Sequence, residues 1–223
     1  MEPASPNANN MKLHLGCGER HLDGYLNIDY PSAEHTVQTK SVADQFADIT
    51  AIKYESDTID EVRLHHVFEH FSRAQACALV AAWHGWLKAG GVLHLEVPNF
   101  RRTALAILSP FVPFKEKMVG IRHIFGSQEA RWAVHLDGYC PARLKKLLTA
   151  FGFEVVSVEK NSYKGTYNLE IIAKKASPTR PKEEHAALAE QYLSQFCLDD
   201  SPTEKSMLGV WLKEFSAQLS KSI

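Results

Sequence analysis

The sequence predicts an α/β fold built on a largely parallel sheet. Three observations carry this reading. Short β-rich runs recur at Lys12–Leu15, Tyr25–Asp29, Ile59–Leu64 and Gly91–Val97; a helical pattern fills Ser72–Lys88 between the last two; and a second helical pattern leads into two further β-rich runs, Phe153–Lys160 and Tyr167–Lys175.

In the first helix Ala76, Leu79, Val80, Trp83, Trp86 and Leu87 recur at helical spacing, and Gly90-Gly91 supplies a C-terminal stop. Pro98 has no N–H to give a ladder, so the strand through Leu93 and Leu95 ends there and Asn99 opens a loop. From Phe100 to Tyr139 a short helical pattern is broken by Pro110, Pro113, Gly120, Gly126 and Asp137-Gly138. This stretch is expected to be irregular and to form a lid or acceptor wall rather than scaffold. Pro141 opens a helix through Leu144, Leu147 and Leu148 that Gly152 closes, and the last two β runs, joined through Gly165, read as a closing antiparallel hairpin. Residues 176–182 (ASPTRPK) break the composition, and a helical extension is expected over 183–223. There Ser201-Pro202-Thr203-Glu204 is a capping box, followed by a stripe of Leu208, Trp211, Leu212, Phe215 and Leu219. That stripe either packs on its own domain or joins two copies as a homodimer through the C-terminal helices.

Composition narrows the function classes. The 223 residues are 45% hydrophobic and 23% charged, with a formal net charge of −1, so nothing marks a nucleic-acid or anionic-membrane binder. Cys17, Cys77, Cys140 and Cys197 form no C-x-x-C pair and fit a reducing cytoplasm. Residues 1–10 lack the charge and apolar run of a leader and are expected to be a disordered tail. The longest apolar run, Ala76–Trp83, falls far short of the roughly 18 residues of a membrane span. A cytoplasmic protein is expected, with an α/β domain over 11–175.

The leading chemical signal is Leu13-His14-Leu15-Gly16-Cys17-Gly18, an apolar strand that ends in a glycine turn where backbone can approach a ligand without Cβ interference. Asn27-Ile28-Asp29 then places a carboxylate at the end of the second strand, suited to accept from two ribose hydroxyls. Asp48, in Ala47-Asp48-Ile49, sits at a later strand–loop boundary; His65-His66-Val67-Phe68-Glu69-His70 ends a further strand in polar residues; and Leu87-Lys88-Ala89-Gly90-Gly91 leads into the next.

In order and chemistry this resembles a class I S-adenosylmethionine-dependent methyltransferase of the type 11-like group, whose pattern runs glycine turn, N-I-D, A-D, an E-H pair after strand four, L-K-x-G-G and V-P. The resemblance covers roughly residues 11–175. It implies a doubly wound, Rossmann-like sheet and S-adenosylmethionine as cofactor. By position it implies that Gly16, Cys17 and Gly18 contact the methionine part, Asp29 holds the ribose, Asp48 with Ile49 meets the adenine, and the backbone of His65 and His66 completes the methionine pocket. The acceptor implied is a small molecule or glycan-related compound.

Gly18 and Asp29 are only eleven positions apart, whereas a dinucleotide fingerprint places its acid about 20 residues on. Little room remains for a first helix, which counts against a dehydrogenase that needs that helix N-terminus for pyrophosphate. His66-Val67-Phe68-Glu69-His70 also spells the H-x-x-E-H pattern of zinc peptidases. Zinc-binding histidines four apart must share a helix face, but here a strand precedes them and the helix begins near Ser72, so a zinc hydrolase using His66, Glu69 and His70 is a remote alternative and no metal is expected. The plainer role of Glu69 and His70 is to organise the turn.

Methyl transfer requires the attacking atom, methyl carbon and leaving sulfur to be close and collinear, and a hydroxyl acceptor requires a base. His135, in the segment before the Pro141 helix, is the first candidate, with His123 and His66 in reserve; His14 and His94 read as core-edge histidines. A non-catalytic protein of the same fold, binding the cofactor or a partner, is the rival reading.

Overall fold

The computed structural model describes residues 10–31, 41–163 and 165–223, and places seven strands in one sheet of order β3-β2-β1-β4-β5-β7-β6. β1 (Lys12–Leu15), β2 (Leu26–Asp29), β3 (Gln45–Phe46), β4 (Ile59–His65) and β5 (Leu87–Pro98) run parallel. β7 (Thr166–Lys175) is antiparallel to β5 and to β6 (Phe153–Tyr163), closing the sheet with the expected hairpin. The strand order reverses between β1 and β4. In open α/β sheets the crevice beyond the carboxyl ends at such a switch point is where ligands bind.

α1 (Arg73–Trp86) starts at Ser72, whose Oγ accepts from Gln75 N at 3.1 Å. Every residue of it except Arg73 and Gln75 is buried, so both of its sides must be covered. The sheet covers one; α5 (Lys182–Leu193) and α6 (Pro202–Ser222) cover the other, and α5 also touches α4 (Pro141–Ala150). Phe215 and Leu219 enter the same core as Leu13, Leu64 and Leu93. Trp86 Nε1 donates to Ser222 O at 2.9 Å, and Gln218 Nε2 donates to Thr50 O at 2.6 Å. The apolar stripe of α6 is thus spent on its own chain. Its capping box is half formed: Glu204 N donates to Ser201 Oγ, while the Glu204 carboxylate takes Leu198 N instead.

The sheet's two faces differ. Leu13, Leu15, Val62, Leu64, Leu93 and Leu95 are fully buried, and between them Asn27, His14, Arg63 and His94 line up across β2, β1, β4 and β5 on the opposite face. A parallel sheet is ordinarily apolar on both faces because crossover helices cover it. Here residues 16–25 between β1 and β2 form turns and no helix, and polar side chains satisfy one another instead. Arg63 Nε donates to His65 Nε2 at 3.0 Å; His65 Nδ1 then gives its hydrogen to His14 Nε2 at 3.2 Å, and His14 Nδ1 to Asn27 Oδ1 at 3.0 Å. Asn27 Nδ2 ends the relay on Asp44 Oδ2 at 2.9 Å. Burial, then the charges around it, pushes His65 down to about 3, so this ring is neutral as the relay requires.

Three expectations need correction. The first helix ends at Trp86, because β5 starts at Leu87; Gly90 (φ +74) and Gly91 lie inside that strand, where the β4–β5 register shifts between Ile59 and Glu61. The segment 100–139 is not irregular throughout but contains α2 (Phe100–Leu108), capped by Asn99 Oδ1 on Arg102 N, and α3 (Phe114–Phe125). Gly120, read from sequence as a breaker, is where the two pack: a Cβ there would stand 3.1 Å from Ile107 Cγ1. Of the predicted N-terminal tail, residues 1–9 lie outside the described residues. Among those described, no helix is long and apolar enough to cross a membrane.

Candidate active site

β1 turns through Gly16 (φ +70) and Gly18 (φ +57), backbone conformations that glycine adopts without strain. Gly16 N and Cys17 N both donate to Ile28 O, tying the turn to β2 at 2.8 and 3.2 Å. A Cβ on Gly16 would stand 2.5 Å from Val67 Cγ2, so the turns after β1 and β4 are in direct contact across the switch point. A Cβ on Gly18 would meet nothing within 4 Å among the described residues. Asp29 ends β2 with its carboxylate against this turn: Oδ2 accepts from Gly18 N at 2.6 Å and Oδ1 from Tyr30 N at 2.7 Å. Burial and then the Asp29 charge push the Cys17 thiol up to about 12, which makes it a neutral wall rather than a nucleophile.

Asp48 follows β3 along the same edge, Ala47 N being bonded to Asp29 O at 2.9 Å. Its Oδ1 accepts from Thr50 N and Thr50 Oγ1 at 2.9 and 2.7 Å, and Ile49 beside it is buried in the core. His65 turns its side chain into the polar relay described above. His66 leaves β4 at φ +53, a left-handed conformation unusual for a residue with a side chain.

Beyond His66 lies a feature that sequence spacing concealed. Glu69, in the 3₁₀ turn Phe68–His70, is buried, and His66, His70 and His135 surround it. His66 Nδ1 stands 3.4 Å from Glu69 Oε1 and His66 Nε2 3.5 Å from Glu96 Oε1. Burial alone would push His66 down, yet these two carboxylates outweigh it and raise His66 to about 9; His66 in turn holds Glu96 down at about 2. Burial, against the Glu69 charge, lowers His135, so its ring is neutral near pH 7. His123 packs its ring 5.8 Å from His66 and hydrogen-bonds Tyr167 O, and burial lowers it too.

The loop that carries His135 is firmly held. Leu136 N and Asp137 N both donate to Glu69 O, and Phe100 N donates to Tyr139 O at 2.8 Å. Arg143 of α4 grips Asp137 with both terminal nitrogens and lies over the Tyr139 ring. The outer sides of α2 and α3, and the loop between them, expose Leu108, Phe111 and Phe114 as an apolar patch.

The structure thus brings Gly16, Cys17, Gly18 and Asp29 together, with Asp48 along the same edge, and joins His66 to His135 through Glu69. The zinc-peptidase geometry is absent: His66 and His70 do not share a helix face. A recess lined by Asp57, Ala89 and residues 175–179 lies at the opposite sheet edge, where Lys175 Nζ is already taken by Asp57, Leu87 O and Thr179.

No protein-family model matches the chain, and no curated protein matches it in sequence. Solved structures do match its fold. One is from the complex of the Haloferax volcanii Trm112 methyltransferase activator with a methyltransferase, at a TM-score of 0.54 and 12% identity, covering 78% of this chain and 85% of that one. A methyltransferase from Bacillus halodurans matches at 0.50 and 13%, over 78% and 96% of the two chains. An S-adenosylmethionine-dependent methyltransferase from Mesorhizobium loti matches at 0.50 and 14%, over 74% and 90%. These likenesses establish the class I S-adenosylmethionine-dependent methyltransferase fold.

Proposed function

We propose that this protein transfers a methyl group from S-adenosylmethionine to a hydroxyl, amine or carboxylate of a small-molecule or glycan-related acceptor. One observation carries the reading: at the switch point of the sheet, an open glycine turn at Gly18 and the Asp29 carboxylate adjoin, through the Gly16–Val67 contact, the turn that holds Glu69 and its histidines. The residues fit the cofactor. Gly18 leaves room for its methionine part, and Asp29, with about four lone-pair sites, can accept from ribose hydroxyls while it holds Gly18 N. Asp48 and Ile49 are assigned to the adenine side and the backbone of His65 and His66 to the methionine side. The cofactor supplies a methyl carbon on cationic sulfur. The chain's part is to position the acceptor and exclude water, and neutral His135 is the residue assigned to act on the acceptor.

The test is a screen for homocysteine derived from the demethylated cofactor over candidate acceptors. Asp29→Ala is expected to weaken cofactor binding at least about tenfold, and His135→Ala to abolish turnover with cofactor binding intact. Turnover unchanged in both variants would contradict the assignment. The exposed Leu108, Phe111 and Phe114 favour a second reading, a partner-binding protein of this fold. Cofactor binding without turnover on any acceptor, together with a partner that protects this patch, would favour it.

A further inference from the structure

Glu69 is 1% exposed, and neither carboxylate oxygen has a hydrogen-bond partner among the described residues. His66 Nδ1 pairs with Glu69 Oε1 at 3.4 Å, but that ring is shared with Glu96, and Oε2 has no hydrogen bond among the described residues. A carboxylate taken out of water costs several kcal/mol unless it is hydrogen-bonded, paired or bound to a metal.

The two histidines beside it carry an independent observation. His70 Nδ1 lies 3.1 Å from Val134 O, and His135 Nδ1 lies 3.1 Å from His123 O. A carbonyl oxygen only accepts, so both Nδ1 atoms carry the hydrogen, and Nε2 is the nitrogen each ring can offer to a cation. Metal-binding histidines are held in this way, with one nitrogen fixed on a carbonyl or carboxylate and the other free to coordinate. The rings stand edge to face with centroids 4.7 Å apart, and one ligand atom from each of Glu69, His70 and His135 lies within 4.8 Å of the others.

We propose that Glu69, His70 and His135 bind one divalent transition-metal cation, with further coordination positions left to water or to oxygen atoms of the acceptor. Ligands about 2.1 Å from a cation stand about 3 to 3.5 Å from one another. His135 Nε2 and Glu69 Oε1 are 3.8 Å apart, a few tenths of an ångström from that spacing, and the His70 ligand atom lies within 4.8 Å of both, so closing the site also draws the His70 ring inward. Two imidazoles and one carboxylate with open positions are the donor set of reactive rather than purely structural metal sites. The frame is already set, since Glu69 O receives Leu136 N and Asp137 N from the loop that carries His135.

A rival cluster, His65, His94 and Glu170, is equally close-set but has no free lone pair on His65. Its Nε2 takes Arg63 Nε and its Nδ1 is spent on His14.

The chemical role rests on the methyl-transfer reading. A hydroxyl oxygen of the acceptor on the cation releases its proton to solvent at lower pH. That oxygen bonds the methyl carbon, and the carbon–sulfur bond breaks with its electron pair passing to the sulfur, which becomes neutral. His135 then acts on the acceptor through the cation.

The full-length, chelator-treated protein is titrated with Co2+, read by visible absorption, and with Zn2+, read by calorimetry. One equivalent is expected, weakened at least about tenfold by Glu69→Gln and by His135→Ala and left unchanged by His94→Ala. Zn2+ is also expected to raise the thermal midpoint of the wild type, a readout that needs no variant. No stoichiometric binding and no midpoint shift would overturn the proposal, as would binding lost in His94→Ala and retained in Glu69→Gln. S-adenosylhomocysteine binding, measured on the same samples, separates failure of the cation site from failure of the methyl-transfer reading.

Discussion

Replacing Gly18 by alanine adds one methyl group at φ +57, where a Cβ would meet no described atom within 4 Å. The folded state acquires left-handed strain of about 1–2 kcal/mol. A less flexible unfolded chain returns about 0.4–1 kcal/mol of this, for a net loss near 1 kcal/mol. The added methyl instead occupies the space assigned to the cofactor's methionine part, and a tenfold or greater loss of S-adenosylhomocysteine affinity is expected, about 1.4 kcal/mol or more. Gly16→Ala carries similar strain at φ +70 and also drives its Cβ to 2.5 Å from Val67 Cγ2. Overpacking adds about 1–3 kcal/mol, for a total near 2–4 kcal/mol. Urea unfolding measures the stabilities and calorimetry the affinities. Gly18→Ala with wild-type affinity would refute the placement of the ligand on this turn, and equal stability of the two variants would refute the rigid contact between the β1 and β4 turns.

Three further outcomes follow from the packing. Trp86→Phe removes the hydrogen bond from Nε1 to Ser222 O and leaves that carbonyl unpaired in the core; a loss of about 1–3 kcal/mol is expected in urea unfolding, and no loss would mean that the end of α6 does not dock on α1. Arg143→Lys replaces a two-pronged grip on Asp137 by a single ammonium; a loss of about 1–3 kcal/mol with unchanged cofactor affinity is expected, and full stability would show that the His135 loop is held otherwise. Burial, followed by the charges of Lys175, His185 and Arg180, pushes His84 down to about 4. Between that value and its unfolded value near 6.5 the unfolded chain binds a proton that the folded chain does not, so stability falls as the pH falls through this window, by up to about 3 kcal/mol. His84→Gln should flatten the dependence, and an unchanged slope would assign it to other groups.

Much of the fold was legible where local pattern and tertiary role agree. The apolar Leu13 and Leu15 before a glycine turn, the helical spacing of Leu79, Val80, Trp83 and Trp86, and the Ser201-Pro202 start of α6 each state one element through short-range chemistry. The pattern misled where a residue served a distant neighbour. Gly90 and Gly91 read as a helix stop but lie within β5, and Gly120 read as a breaker but lets α3 approach Ile107 and Thr103 of α2. The pairing of the glycine turn with Asp29 was legible because it joins the ends of two adjacent strands. The Glu69 cluster was not, because His135 lies 65 positions beyond His70 and reaches it only through the loop that Arg143 and Glu69 O hold in place.

Calorimetric titration of the wild-type protein with S-adenosylhomocysteine bears on the account most directly. One molecule bound per chain, at micromolar or tighter affinity, is the predicted result; absence of any binding heat from a folded sample, with no shift of its thermal midpoint, would contradict it.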